Sequence, residues 1–383
     1  MLQFEPHRGF GIYIHWPYCA KICPYCDFNV YAAKDRNIDP LLLAIREDLK
    51  GWREKTGSRH VDTVFLGGGT PSLLPPEAIR QLLADIAELW PLRDDAEITL
   101  EANPDDMNRF AGIADAGVNR LSLGVQSLDD AALTFLGRNH SAKIALEAIG
   151  EGRRCFSSLS LDFIYALPNQ SKEKWQAELS DIIDLGADHL SLYELTIEQR
   201  TAFGKAVSRG DWTPANEDVA ADLYEVTQLE MEAAGYSAYE ISNHAKSVQH
   251  QAKHNIVYWK SGDWLGVGPG AHGRVTLDGK RLETISEKRP DKYISKVEKT
   301  GVGADYNPLS IEDIAAERVM MGLRMTQGIL RSDFEKISGR CFDETAIASF
   351  ISDGLIELDG SILKLTAEGC LLADYISQKL VLE

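Results

Sequence analysis

The stretch "GIYIHWPYCAKICPYCDFN", Gly11–Asn29, holds Cys19, Cys23 and Cys26 within eight residues, half of the six cysteines in a chain of 383. Its opening "GIYIHW" reads as a strand, which puts the thiols in the loop at that strand's end. Three thiolates do not close a tetrahedral metal site, and they cannot all pair as disulfides. Whatever they hold keeps one coordination position open.

Working outward from that loop, five further strands follow: "DTVFLGG", "EITLEANP", "NRLSLGVQ", "LSLDFIYALP" and "HLSLYELTIE". They alternate with helix-like patterns over Asp39–Lys55, Pro76–Leu89, Asp106–Ala116, Ala142–Arg154 and Lys172–Leu185. Strict alternation implies βαβ units and a parallel sheet. Six units fall short of the eight of a closed barrel. The expected fold is therefore α/β, an open partial (β/α)6 barrel over residues 8–205. A doubly wound sheet is the alternative, because periodicity does not separate the two. In a barrel the loops after the strands carry the site, and the three cysteines lie in the first of them.

Residues 206–305 read as an α+β extension. It has a turn-rich "RGDWTPANED", a helical pattern at Pro214–Ala234, a strand-like "GYSAYEISNHA" and a glycine-rich "GDWLGVGPGAHG". Residues 306–383 turn to helices ("SIEDIAAERVMMGLRM", "RSDFEKI", "DETAIASFISDG") and a hairpin, "LIELDGSILKLT", marked by its Asp-Gly turn. Helices followed by a hairpin suggest a winged-helix-like unit. With few basic residues, its expected role is packing and not DNA binding.

Bulk properties narrow the chemistry. At 44% hydrophobic and 26% charged, the composition is that of a soluble globular protein. No apolar run has the length of a membrane span. The N-terminal "MLQFEPHRGFGIYIHW" lacks the pattern of a secretory signal. The expected location is cytoplasmic and reducing, where clustered cysteines are metal ligands. A net charge of −18 opposes a nucleic-acid partner and leaves at most peripheral association with a membrane. The oligomeric state is open, a homodimer included.

Thiolates are the usual ligands of iron–sulfur clusters, and three of them on a four-iron cluster leave one iron free. A zinc site completed by His15 or Cys155 is the plainer alternative, but the second ligand hook typical of zinc is missing.

Cys-x3-Cys-x-aromatic-Cys resembles the signature of the radical S-adenosylmethionine (SAM) superfamily. The resemblance implies a 4Fe–4S cluster whose open iron is chelated by SAM, the source of a 5′-deoxyadenosyl radical. "GGGTPS", Gly67–Ser72, is similar to the superfamily's glycine-rich segment. Across essentially the whole chain, the sequence is similar to the branch of anaerobic coproporphyrinogen III oxidases and HemW haem chaperones. That likeness implies a SAM site of Tyr13, Tyr25, Gly68, Gly69, Thr70, Glu101, Gln126, Arg138 and Asp162. The chemistry suits the ligand: ammonium and ribose hydroxyls want carboxylates and amides, and a carboxylate wants an arginine.

Two departures set the chain apart from the oxidases. Phe28 stands where they place a further cysteine, and only 18 residues precede Cys19. "HNIVYW", His254–Trp259, is instead similar to the His-Asn-x-x-Tyr-Trp motif of the HemW chaperones. This likeness implies haem bound through His254, Tyr258 and Trp259 and handed to apo-haemoproteins of the respiratory chain. Four of the nine histidines (His244, His250, His254 and His272) fall in this region, so the individual ligand stays open. The rival readings are a coproporphyrinogen dehydrogenase and a radical SAM C-methyltransferase.

Overall fold

The computed structural model describes residues 9–33 and 37–382, so the first eight residues, on which part of the N-terminal reading rests, lie outside it. Six parallel strands neighbour one another in the order the chain makes them. They are β1 (Phe10–Trp16), β2 (Val61–Gly68), β3 (Leu92–Ala102), β4 (Arg120–Gln126), β5 (Ser158–Tyr165) and β6 (His189–Glu194). A sequential order has no point where the winding reverses, which separates this sheet from a doubly wound one. The intervening helices are α1 (Asp39–Thr56), α2 (Pro76–Leu89), α3 (Phe110–Asp115), α4 (Asp130–Phe135), α5 (Ala142–Cys155) and α6 (Lys172–Asp184).

Local chemistry starts these helices where the sequence places them. Ser141 caps α5 by accepting from the Ile144 amide, and Ser171 caps α6 through Lys174. Helix α2 opens on Pro75–Pro76 and buries Ile79, Leu82, Leu83 and Ile86, one apolar stripe at helical spacing. The expected helix over Asp106–Ala116 is split. Pro104–Arg109 form a 3₁₀ turn, held by a 2.7 Å hydrogen bond from Ser72 Oγ to Asp106, and α3 follows.

The later elements are α7 (Ala202–Arg209), α8 (Glu217–Ala233), β7 (Ser237–Ala238), β8 (Asn243–Ala245), α9 (Lys253–Trp259) and β9 (Asp263–Val267). β10 (His272–Leu277), β11 (Lys280–Ser286), α10 (Pro290–Thr300) and β12 (Ala304–Pro308) complete the stretch. It builds no sheet of its own. β9 pairs parallel with β1, from Phe10 opposite Asp263 to Ile14 opposite Val267, and β10, β11 and β12 continue outward antiparallel. On the far side β8 and β7 extend from β6, giving one sheet of twelve strands among the described residues. The main apolar core runs from Phe10 to Ala304, with smaller clusters around Leu136 and Phe203 and around Tyr239.

The C-terminal unit has a second core, including Val319, Leu323, Phe334, Leu363 and Ile376. Helices α11 (Ile311–Leu323), α12 (Arg331–Ser338) and α13 (Glu344–Ser352) pack on a small sheet of β13 (Ile329–Leu330), β14 (Ile356–Asp359) and β15 (Ile362–Leu365). The expected hairpin turns at Gly360, whose φ of 61° is left-handed. Two helices that the sequence pattern did not show, α14 (Ala367–Cys370) and α15 (Ala373–Leu382), close the chain.

Candidate functional site

The parallel strands carry leucines on one face and polar residues on the other. Leu66, Leu100, Leu121 and Leu159 are laterally paired and fully or nearly fully buried. The opposite face runs Glu101–Ser122–Ser160–His189 in one row and Gly124–Asp162–Ser191–Asn243 in the next. These polar rows line a cavity of about 540 Å³ that extends from the strand starts at Arg120 and His189 to the strands' C-terminal ends, where Cys19, Cys23 and Cys26 also line it.

The cysteine loop is short and tightly turned. The Cys26 amide donates to the Cys23 carbonyl at 3.2 Å, and Tyr18–Cys19 pair in parallel with Tyr31–Ala32. Burial pushes the Cys26 thiol up to about 11. Cys23 Sγ accepts from Arg138 Nη1 at 3.3 Å. All six cysteines are free thiols. Three thiols on one loop that lines the cavity are the donor set that a cluster with three protein thiolates would use.

The glycine-rich segment is shaped by packing before any ligand arrives. Gly68 has a φ of 103°, and a Cβ there would lie 2.4 Å from the His15 ring. At Gly69 a Cβ would meet the Trp16 and Tyr18 carbonyl oxygens at 2.7 and 2.8 Å. The Gly69 and Thr70 amides donate to those same carbonyls, which ties the end of β2 to the cysteine loop.

Four polar side chains line the same space: Glu101 and Gln126 at the ends of β3 and β4, Asp162 within β5, and Arg138 in the loop between α4 and α5. Glu101 accepts from the Gly68 amide at 3.0 Å; its burial, with Asp162 nearby, raises its pKa to about 7. Asp162 accepts from Ser122 Oγ at 2.6 Å and Ser160 Oγ at 3.1 Å, and burial raises its pKa as well. Arg138 also reaches Tyr25 Oη, the Gly124 carbonyl and Asn103 Oδ1. Gln126 sits at a bulge between β4 and β5 with a φ of 72°. A non-glycine residue held there stores backbone strain, which structures tend to keep at working sites.

Tyr25, Gly68, Gly69, Thr70, Glu101, Gln126, Arg138 and Asp162 thus converge on one cavity with the cysteines. Tyr13 does not line it. Its hydroxyl bonds His15 Nδ1 at 2.9 Å, and it faces a neighbouring crevice. The cavity also takes in Arg120, Ser160, His189 and Asn243, which the sequence reading did not single out. Their signal was present as the alternation of Arg120, Ser122, Ser160, Asp162, His189 and Ser191 with leucines.

Helix α9, which carries "HNIVYW", lies against the polar face and not outside the barrel. Glu97 of β3 accepts from the Lys253 and His254 amides, both at 3.0 Å, satisfying donors that a helix start leaves open. His254 is 1% exposed. Its Nδ1 pairs with Thr63 Oγ1 at 2.7 Å, its Nε2 with Tyr258 Oη at 2.6 Å, and its ring stacks on Phe65. Gly11 makes room, since a Cβ there would sit 3.0 Å from the imidazole. Burial lowers the His254 pKa to about 3, so the ring is neutral. Asn255 lines the cavity, while Tyr258 and Trp259 line the crevice, so α9 is a wall common to both.

Three cysteines on the first loop of a parallel barrel, above a cavity lined from successive strand ends, define the radical SAM class. The superfamily's family model matches residues 13–182, and that of the HemN C-terminal domain matches residues 309–372. The chain belongs to the HemW family within this superfamily. Heme chaperone HemW of Escherichia coli is 38% identical over 87% of each chain. Its Mycobacterium tuberculosis counterpart is 36% identical over 98% of this chain and 96% of its own. The mitochondrial radical S-adenosyl methionine domain-containing protein 1 of Danio rerio is 35% identical over 97% and 87%. Coproporphyrinogen III oxidase (HemN) from E. coli, a radical SAM enzyme, shares the fold. Its TM-score is 0.82 at 23% identity, over all of this chain and 92% of that one. Membership of the superfamily implies SAM and a 4Fe–4S cluster.

Proposed function

We propose that this protein is a haem carrier that binds haem beside helix α9 and transfers it to apo-haemoproteins, respiratory-chain enzymes among them. Cys19, Cys23 and Cys26 would ligate the cluster. Tyr25, Gly68, Gly69, Thr70, Glu101, Gln126, Arg138 and Asp162 would hold SAM, with Tyr13 supporting the pocket from behind through His15. Tyr258 and Trp259 would pack on the porphyrin, and His254 would act on that surface through its bond to Tyr258.

The observation that carries this reading is the position of α9 between the cavity and an aromatic crevice. Relatives named as heme chaperones support it. Phe28 supports it too: the phenyl ring stands at the rim of both spaces and supplies no thiolate. The carrier is assigned to the cytoplasm, reaching membrane-bound clients by peripheral contact; no helix among the described residues is long and apolar enough to cross a membrane.

The test uses anaerobically reconstituted protein, offered haem in one arm and coproporphyrinogen with SAM and a reductant in the other. Retained haem that activates an apo-haemoprotein, with coproporphyrinogen unconverted, is the expected result. Conversion of coproporphyrinogen to protoporphyrinogen without haem uptake overturns the carrier reading in favour of a dehydrogenase.

A further inference from the structure

The crevice beside α9 encloses about 530 Å³, and its walls include Phe28, Tyr258, Trp259, Trp264, His272 and Met321. Phe28 is 61% exposed at its rim. Tyr258 and Trp264 pack edge to face with centroids 4.7 Å apart. Such an aromatic space with an exposed rim suits an apolar ring.

Of the polar side chains that line it, the exposed Asp27 among them, His272 and Lys288 supply an imidazole and an ammonium with their chemistry unspent. The His272 side chain is exposed at the start of β10 and makes no hydrogen bond to any described residue, while its backbone pairs with Ile285 in the ladder and its carbonyl accepts from Trp264 Nε1 at 3.2 Å. Its backbone is firmly set, because a Cβ on Gly266 would lie 2.2 Å from the His272 carbonyl oxygen. The Lys288 side chain lines the same crevice, forms no ion pair with a described residue, and is exposed. The Lys288 carbonyl accepts from Asn29 Nδ2 at 2.8 Å and Tyr31 Oη at 3.2 Å, which anchors the backbone to the cysteine loop.

His254 offers the opposite picture. Both ring nitrogens are bonded, the ring is stacked, and the helix carrying it is held by Glu97. Reaching a ligand would require giving up one or both imidazole bonds in an enclosed site, leaving buried polar partners unsatisfied.

We propose that His272, and not His254, is the imidazole that ligates haem iron. The porphyrin then lies in the crevice between Phe28, Tyr258 and Trp264, and Lys288 pairs with a propionate. His254 is a positioning residue that fixes Tyr258 against the ring. The assignment rests on the haem-carrier reading. It matches three features of haem at once: a planar apolar body, an iron with an open axial position, and anionic carboxylates at one edge.

The test is a haemin titration of the full-length, cluster-loaded protein, read by the Soret band and by haem retained after gel filtration. His272→Ala should lose the imidazole-type spectrum and weaken retention roughly tenfold or more, with iron–sulfur content unchanged and free imidazole restoring the spectrum. His272→Tyr should replace the imidazole spectrum with that of a phenolate ligand. Lys288→Ala should weaken retention without altering the band. His254→Gln should reduce retention yet keep the imidazole spectrum. An unchanged spectrum in His272→Ala, or its loss in His254→Gln alone, overturns the assignment while leaving the carrier reading intact. No haem uptake by the wild type overturns both.

Discussion

Arg138 is the side chain that joins the two halves of the site, because one guanidinium nitrogen reaches Cys23 and the other the Gly124 carbonyl. Its replacement by alanine should weaken SAM binding by about 1.5–3 kcal/mol, the worth of a charge-assisted bond. Iron and sulfide content should stay near four each, since the arginine ligates nothing. Calorimetry beside metal analysis reads both quantities, and unchanged SAM affinity would remove Arg138 from the site. Glu101 gives a pH signature. With its pKa near 7, it is mostly protonated below neutrality and must lose that proton before it can pair with an ammonium. SAM affinity should therefore rise with pH up to about 7 and then level off. Glu101→Gln should bind more weakly and lack this slope, and a variant with the same slope as wild type would place the titration in the ligand.

At the scale of elements, the glycines after β2 show how closely the cysteine loop is built onto its neighbour. Gly69→Ala drives a Cβ into two backbone carbonyls that cannot step aside. We expect a loss of about 1–3 kcal/mol in denaturant unfolding, the usual cost of overpacking. Gly150 is the contrast: it is exposed within α5, and a Cβ there meets nothing within 4 Å. Gly150→Ala should stabilise by about 0.4–1 kcal/mol in the same measurement. The cysteine loop itself is tested by Cys19→Ala, Cys23→Ala and Cys26→Ala, each expected to abolish cluster assembly. Stoichiometric zinc without sulfide in protein purified without oxygen would sink the iron–sulfur reading.

For the whole molecule, Asp48 reports on how the late strands are bound to the barrel. Buried in α1, its carboxylate accepts from Tyr293 of α10 and from the Gly303 amide, so the last segment of the sheet is clasped to the first helix. Burial raises its pKa to about 7. A carboxyl whose pKa is raised on folding binds its proton more tightly when folded. Its contribution to stability is thus fullest below the unfolded value of about 3.9, declines as pH climbs to about 7, and is flat above. Asp48→Asn cannot ionise, so the stability of wild type relative to the variant should fall between pH 5 and 7 and hold steady beyond. A constant difference across that range would show that Asp48 does not change protonation on folding.

The alternation of short apolar runs with helix-like patterns was enough to place the six strands and the helices between them, save α4 (Asp130–Phe135), which the pattern did not show, and the split before α3. Such signals are local: a period of two or 3.6, or an oxygen just before a helix, acts within a few residues. The three cysteines were legible for the same reason. What the sequence could not supply was the partner of β1's second edge, since β9 is recruited from far along the chain by hydrogen bonds that any residue can make. Nor could it show that "HNIVYW" would be folded inward. That followed from Gly11 leaving space, Thr63 and Tyr258 saturating an imidazole, and Glu97 holding the helix start. These contacts join four separate elements, so which histidine is enclosed and which is left with a free ring was decided only by the tertiary structure.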